Sequence, residues 1–153
     1  MADSTRDDNK HKIDQLFDTC FNRGDVGLLD ELVSPDYVGP QGDRGPAGFR
    51  GIVVGLRTAF PDIHYTVDEV VAEGDKVAVR WHWAGTHEAA FRTFPATHKK
   101  FSNTGTGIFQ FRDSKIVAAT LETDRLGFLQ QVGAVPLDVV ANARPSPSEA
   151  RPR

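Results

Sequence analysis

Two carboxylates near the end of the chain are the first candidates for acid–base chemistry. Glu122 lies on the last strand that the sequence predicts, residues 116–123, and Asp124 directly follows it. Side chains alternate between the two faces of a strand, so Thr120 and Glu122 share a face. A carboxylate facing an apolar cavity has its pKa raised by desolvation, which suits it to proton transfer near neutral pH. We therefore predict Glu122, Asp124 or both as the general acid or base.

A histidine on an earlier predicted strand could act with such a carboxylate. Over residues 76–87, alternation puts Trp81, Trp83 and His87 on one face, and the apolar character of that face indicates that it looks inward. Proton transfer to and from an organic substrate needs one base, one acid and the exclusion of water. His87 or Tyr37 is accordingly predicted to donate to the oxyanion. His82 falls on the opposite face, where exposure or a subunit contact is expected.

Each of these side chains also has a purely structural interpretation. Glu122 would be an exposed carboxylate if its face of the strand were solvated. Asp124 would cap the helix predicted to start at Arg125, a role that aspartate performs well. His87 would bond the backbone of a loop. These alternatives remain open at the level of the sequence.

The remaining histidines and the single cysteine are weaker candidates for chemistry. His98 stands beside Lys99 and Lys100 in a polar stretch typical of a solvated loop, and His64 carries no recognisable motif. Cys20 falls within an apolar helical pattern, so we predict a small core residue, and one cysteine cannot form an internal disulfide.

Several common kinds of functional site lack their motifs in this sequence. There is no HExxH, no Cys/His cluster and no histidine pair at i, i+4, so neither metal nor other cofactor is expected. The stretch GPQGDRGPAG lacks the frame of a nucleotide-binding loop, and the G-x-S-x-G nucleophile motif is missing. With a net charge of −3, the chain offers no basic field for nucleic acid or anionic lipid.

The secondary structure that positions these residues is predicted to consist of helices in the first part of the chain and strands in the second. Three helices precede a run of strands without βαβ alternation, which indicates an α+β fold. A strongly curved antiparallel sheet would wrap the helices as an α+β barrel and leave a cone-shaped pocket. The predicted helices are 10–21, 26–32, 47–59 and 126–132, and the predicted strands are 36–38, 64–72, 76–87, 101–112 and 116–123.

The length and composition fit a single domain. A chain of 153 residues supports one core, which we place over residues 10–137. Residues 1–9 and the Pro/Ser/Arg-rich tail 138–153 are predicted to be disordered. The charged start has no apolar leader, and no stretch is long enough for a membrane span, so a cytoplasmic location is expected.

Three strings of the sequence resemble one protein family. These are FNRGDVGLLDELVSPDYV, FPDIHYTVDEVVAEGDKVAVRW followed by GTH, and DRLGFLQQVGAVP. The chain resembles the SnoaL-like polyketide cyclases, or ester cyclases, over about residues 10–137. The resemblance implies the cone-shaped fold of nuclear transport factor two and ketosteroid isomerase. It also implies a carboxylate near the last strand as proton shuttle, with Tyr37 opening toward the pocket and His87 in the GTH string.

We therefore predict a cofactor-free cyclase or isomerase that acts on a polyketide-like or other secondary metabolite. A small epoxide or lactone hydrolase is an alternative, and so is a non-catalytic binding or dimerisation module of the same fold. A homodimer through the open sheet is expected in either case. Besides the catalytic candidates Glu122, Asp124, His87 and Tyr37, the predicted pocket residues are Phe17, Phe60, Trp81, Trp83, Phe109 and Phe128.

Overall fold

A computed structural model describes residues 2–138 of the chain. Helices pack against one face of a single sheet, and the α+β class predicted from the sequence is confirmed. The helical elements are α1 (Ala2–Gln15) with a π-helical continuation (Leu16–Asn22), a 3-10 turn (Val26–Leu28) leading into α2 (Leu29–Leu32), α3 (Gly45–Ala59) and α4 (Arg125–Gln131). The strands are β1 (Val33–Val38), β2 (His64–Glu73), β3 (Lys76–Thr86), β4 (Lys100–Arg112) and β5 (Lys115–Thr123).

The sheet is open and mixed rather than fully antiparallel. Its strand order is β1-β5-β4-β3-β2, in which successive strands from β2 to β5 pair antiparallel. β1 runs parallel to β5, which departs from the predicted antiparallel sheet. A parallel pair needs a long crossover, and the chain supplies one because α3 and three strands separate β1 from β5. The sheet therefore forms an open cone and does not close into a barrel.

The first helix is longer than the sequence predicts. It begins at Ala2, whereas residues 1–9 were expected to be disordered. Asp3 pairs with Arg6 at 3.0 Å and Asp7 with Lys10 at 3.2 Å, which are i, i+3 contacts that support an exposed helix. Of the predicted disordered tail, everything after residue 138 lies outside the described residues.

The π-helical segment Leu16–Asn22 joins the first helix to the sheet. Its wider turns leave carbonyls unpaired at the end, and Arg57 of α3 donates to the carbonyl oxygens of Phe21 at 2.8 Å and Asn22 at 2.7 Å. The side chain of Asn22 exchanges two hydrogen bonds with the backbone of Tyr65 on β2. This segment is therefore anchored to both α3 and the sheet.

Alternation along the two central strands decides which side chains face the helices. Every second residue of β3 and of β4 is buried, and the inward positions of β3 include Trp81 and Trp83, as predicted. Phe60 lies deeper in the core, with ring centroids 5.1 Å from Phe101 and 5.7 Å from Phe128. The helices of residues 2–138 are all too short or too polar to cross a bilayer.

Candidate active site

A cavity of about 680 Å³ lies between the helices and the inner face of the sheet. This volume suits a small organic ligand, and most of the wall is apolar. The π-helical segment, α3, α4, the sheet and the loop between β3 and β4 all contribute. The aromatic part of the wall includes Phe17, Tyr65, Trp81, Trp83, Phe109 and Phe128.

Most of the side chains predicted to contact a substrate lie on this wall. Phe17, Trp81, Trp83, Phe109 and Phe128 all line the cavity, although their contact with a substrate stays a prediction. Phe60 does not line it. Its fully buried ring packs against those of Trp83, Phe91, Phe101 and Phe128, so it supports the wall from behind.

The two late carboxylates do not face the cavity. Glu122 is exposed on the outer face of the sheet, opposite Thr106 of β4, because Leu121 and Thr123 take the inward positions of β5. The carboxylate of Asp124 accepts a hydrogen bond from the backbone N–H of Gly127 at 2.9 Å and caps α4. The prediction that these carboxylates face an apolar chamber is therefore wrong, and their structural interpretations apply.

His87 is buried, as its place on the Trp face of β3 indicated, but it does not line the cavity. Its ring centroid lies 5.5 Å from that of Phe60, and Nδ1 lies 3.1 Å from the hydroxyl oxygen of Thr97. Nε2 has no hydrogen-bond partner within residues 2–138. His87 belongs to the core at the base of the loop between β3 and β4, behind the cavity wall.

Tyr37 is the one predicted catalytic side chain that lines the cavity. It stands near the end of β1 and is 2% exposed. Burial raises the pKa of its phenol well above the ordinary range, and the charge of Asp43 and a hydrogen bond to that carboxylate raise it further. The phenol is therefore neutral at any physiological pH.

Asp43 is the acidic side chain on the cavity wall, and the sequence analysis did not single it out. A tight loop after β1 carries it: the backbone N–H of Gly39 donates to the carbonyl of Asp43 at 2.8 Å, and Val38 pairs with Arg44. The carboxylate lies over Gly39, where a Cβ would overlap it. The sequence signal that could have identified Asp43 is its place in a glycine-rich loop after the strand that carries Tyr37.

Asn103 was also missed, although alternation along β4 would have placed it inward. It is 6% exposed, and its side-chain amide donates to the backbone carbonyl of Asp124 at 2.8 Å. Two cations, Arg92 and Arg125, complete the charged part of the wall. No group of His, Cys, Asp and Glu side chains suited to a metal ion occurs in residues 2–138.

Together these side chains make an apolar chamber with one hydrogen-bonded donor–acceptor pair. Tyr37 supplies a neutral hydroxyl and Asp43 a carboxylate, and both line the same cavity. A carboxylate has several lone pairs, so that of Asp43 can accept a proton from a bound molecule. The arrangement can therefore exchange protons with a bound organic molecule.

Several solved structures with this architecture are described as polyketide cyclases. TsrD from Streptomyces laurentii is 28% identical with a TM-score of 0.80, covering 85% of this chain and 98% of its own. IdmH from Streptomyces antibioticus, a proposed polyketide cyclase, is 32% identical with a TM-score of 0.70, covering 82% and 98%. A proposed polyketide cyclase from Acidithiobacillus ferrooxidans is 30% identical with a TM-score of 0.71, covering 82% and 94%.

A search of the curated proteins found no match. The family profile of the SnoaL-like polyketide cyclases matches residues 11–132, which is most of the chain and includes the whole sheet and most of the cavity wall. The resemblance noted in the three strings of the sequence is thereby confirmed. The chain belongs to the SnoaL-like polyketide cyclase family.

Proposed function

We propose that this protein is a cofactor-free acid–base enzyme, a cyclase or isomerase that acts on a polyketide-like carbonyl compound. Asp43 is the proposed proton shuttle and Tyr37 the residue that positions it. One observation carries the proposal: Asp43 is the acidic side chain on the wall of an aromatic cavity, and its charge acts on the buried phenol of Tyr37 beside it. Membership of the cyclase family and the proposed cyclase activity of IdmH support the reaction class.

The proposed reaction needs no group that the chain lacks. The Asp43 carboxylate accepts a proton from the carbon next to a substrate carbonyl, and the C–H electrons form an enolate. In a cyclase the enolate carbon attacks a second carbonyl of the same molecule, and the alkoxide takes the proton back from Asp43. In an isomerase the proton returns to another carbon. The Tyr37 hydroxyl lies beside the carboxylate that it positions, and the aromatic wall excludes water.

The shared first step can be tested without the natural substrate. In D₂O, the wild type is expected to accelerate exchange of the α-hydrogens of 2-tetralone above the buffer rate, followed by NMR. Asp43→Asn keeps the shape of the side chain but loses the base, so the enzymatic rate should fall about 100-fold or more. Tyr37→Phe should reduce the rate less, because the base remains and only the neighbouring hydroxyl that positions it is lost.

Matched controls come from the two carboxylates that lie outside the cavity. The same change from acid to amide is made on the outer sheet face by Glu122→Gln and at the cap of α4 by Asp124→Asn. Both variants should catalyse exchange of the α-hydrogens of 2-tetralone at the wild-type rate. The proposal fails if the wild type does no better than buffer, or if Asp43→Asn keeps full activity.

A homodimer through the outer face of the sheet is part of this proposal. Two apolar side chains on that face, Val71 and Ile108, are 63% and 49% exposed, and Arg80 pairs with Glu69 beside them at 3.0 Å. An antiparallel sheet covered on one face only favours such pairing. Sedimentation should give a dimer for the wild type and a monomer for Ile108→Lys, and a wild-type monomer at micromolar concentration would contradict the pairing.

A further inference from the structure

Two arginines line the cavity beside its aromatic wall. Arg92 belongs to the loop between β3 and β4, and Arg125 is the first residue of α4. The two elements meet through Phe91 and Phe128, whose ring centroids are 6.1 Å apart. Both cations therefore belong to the part of the wall where the loop packs against α4.

Neither guanidinium has an ion pair or a hydrogen bond to any group within residues 2–138. The one carboxylate of the cavity wall, that of Asp43, is already engaged by Tyr37. Most other arginines of the described residues form an ion pair or a hydrogen bond within the chain. Those that pair with a carboxylate at 2.6–3.1 Å include Arg23, Arg50, Arg80 and Arg112.

Arg92, whose side chain lines the cavity, has an uncommon backbone conformation. Its φ is +54°, which few residues other than glycine adopt and which costs folding free energy. Two reciprocal backbone hydrogen bonds between Phe91 and Phe94, of 2.9 and 3.0 Å, fix this turn. The guanidinium carbon lies 5.6 Å from the ring centroid of Phe91, within cation–π distance.

The backbone at Arg125 is held just as firmly. The backbone carbonyl of Asp124 accepts a hydrogen bond from the side-chain amide of Asn103 at 2.8 Å. The Asp124 carboxylate accepts another from the backbone N–H of Gly127 and so caps α4. Because that carboxylate is committed to the cap, it forms no ion pair with its neighbour Arg125. Arg125 is exposed at the cavity, so its charge is accessible to a group that enters there.

We propose that the ligand of this cavity is an aromatic carboxylate whose anionic group binds Arg92 and Arg125, an inference that rests on the function proposed above. A guanidinium matches the planar geometry of a carboxylate and binds it through two parallel hydrogen bonds. The aromatic wall takes the hydrocarbon part of the same molecule. The arginines thus select among substrates and orient the chosen one relative to Asp43.

Three naphthalene probes that differ only in their polar group test the inference by calorimetry: 2-naphthoate, methyl 2-naphthoate and 2-naphthyl phosphate. The wild type should bind the carboxylate about ten-fold or more tightly than the neutral ester. In the double variant Arg92→Gln/Arg125→Gln this preference should disappear while the affinity for the ester stays unchanged. The control Arg6→Gln/Lys10→Gln removes the same charge from α1 and should keep the preference.

The possible outcomes separate this inference from the proposed function. Equal affinity for acid and ester, or a preference that survives in the double variant, overturns the inference and leaves the proposed function standing. A phosphate that binds more tightly than the carboxylate overturns the assignment of a carboxylate. Full exchange activity of Asp43→Asn together with an intact preference for the acid overturns the proposed function alone. Failure of all three probes to bind overturns the inference, while the exchange assay still decides the proposed function.

Discussion

The indole of Trp81 occupies the space beside Gly105, its direct partner across the β3–β4 pair. A Cβ at Gly105 would overlap the six-membered ring of the indole, and one at Gly107 would meet both Trp81 and Leu121. The two glycines of β4 therefore make room for a tryptophan that would otherwise stand out into the chamber. The position of Trp81 in the cavity wall depends on this contact.

Gly105→Ala should destabilise the fold. The added methyl forces the indole of Trp81 out of its place, and overpacking of this kind costs about 1–3 kcal/mol of the free energy of unfolding. Urea denaturation followed by circular dichroism measures the loss. Gly51→Ala is the control, because a Cβ there meets no atom within 4 Å and alanine favours the helix. Equal stability of Gly105→Ala and the wild type would show that the indole moves freely.

Gly55→Leu should block the cavity without harming the fold. Gly55 lies within α3 and lines the cavity, and a Cβ there meets no atom within 4 Å. Leucine is a better helix former than glycine by up to about 1 kcal/mol, so the free energy of unfolding should not decrease. The affinity for methyl 2-naphthoate should nevertheless fall about ten-fold or more, measured by calorimetry.

The matched control for this change is Ala47→Leu, on an exposed position of the same helix that does not line the cavity. It adds comparable bulk and should leave the affinity for the ester unchanged. Unaltered affinity of Gly55→Leu would mean that the ligand does not lie along α3.

Asp62 should stabilise the fold in a pH-dependent way. Its carboxylate accepts the hydroxyl and the backbone N–H of Thr86, both at 2.7 Å, and joins the start of β2 to the end of β3. These hydrogen bonds, the hydroxyl first, lower its pKa. Asp62→Ala should therefore cost about 1 kcal/mol at pH 7, a modest value because the carboxylate is exposed.

The sign of the pH effect follows from the lowered pKa. The contribution of Asp62 is complete above the unfolded value, about 3.9, and is lost as the pH falls through the lower folded value. Urea titrations of Asp62→Ala and wild type should therefore differ at pH 7 and converge toward pH 2. A difference that grows on acidification would contradict this assignment.

Cys20 should be inert in the folded protein. Burial, followed by the charge of Asp25, raises the pKa of its thiol to about 11, and the side chain is fully enclosed. Iodoacetamide at pH 8 should leave the native thiol unmodified and alkylate it completely in concentrated urea, as mass spectrometry can follow. Rapid alkylation without denaturant would show that the π-helical segment opens readily.

Strand alternation made the central sheet predictable. The two faces of β3 differ strongly in polarity, with Trp81 and Trp83 on one face and Arg80 and His82 on the other, so the inward face could be identified. On β5 the two sets are less distinct, since Leu121 and Thr123 alternate with polar Glu122. Side chains of β5 also alternate between the two faces of the sheet, as expected for a strand. Only the pairing with β4, however, decides which of the two sets faces the helices.

By itself, the sequence determined the order of the elements, the α+β class, the family resemblance and the aromatic wall, because periodicity and turn residues act over a few positions. Tertiary structure alone decided that Asp43 lies beside Tyr37 on that wall and that Glu122 and Asp124 lie outside it. These placements depend on the path of a glycine-rich loop and the packing of α4. Such relationships join residues through space, so a local pattern of side chains offers them only as alternatives.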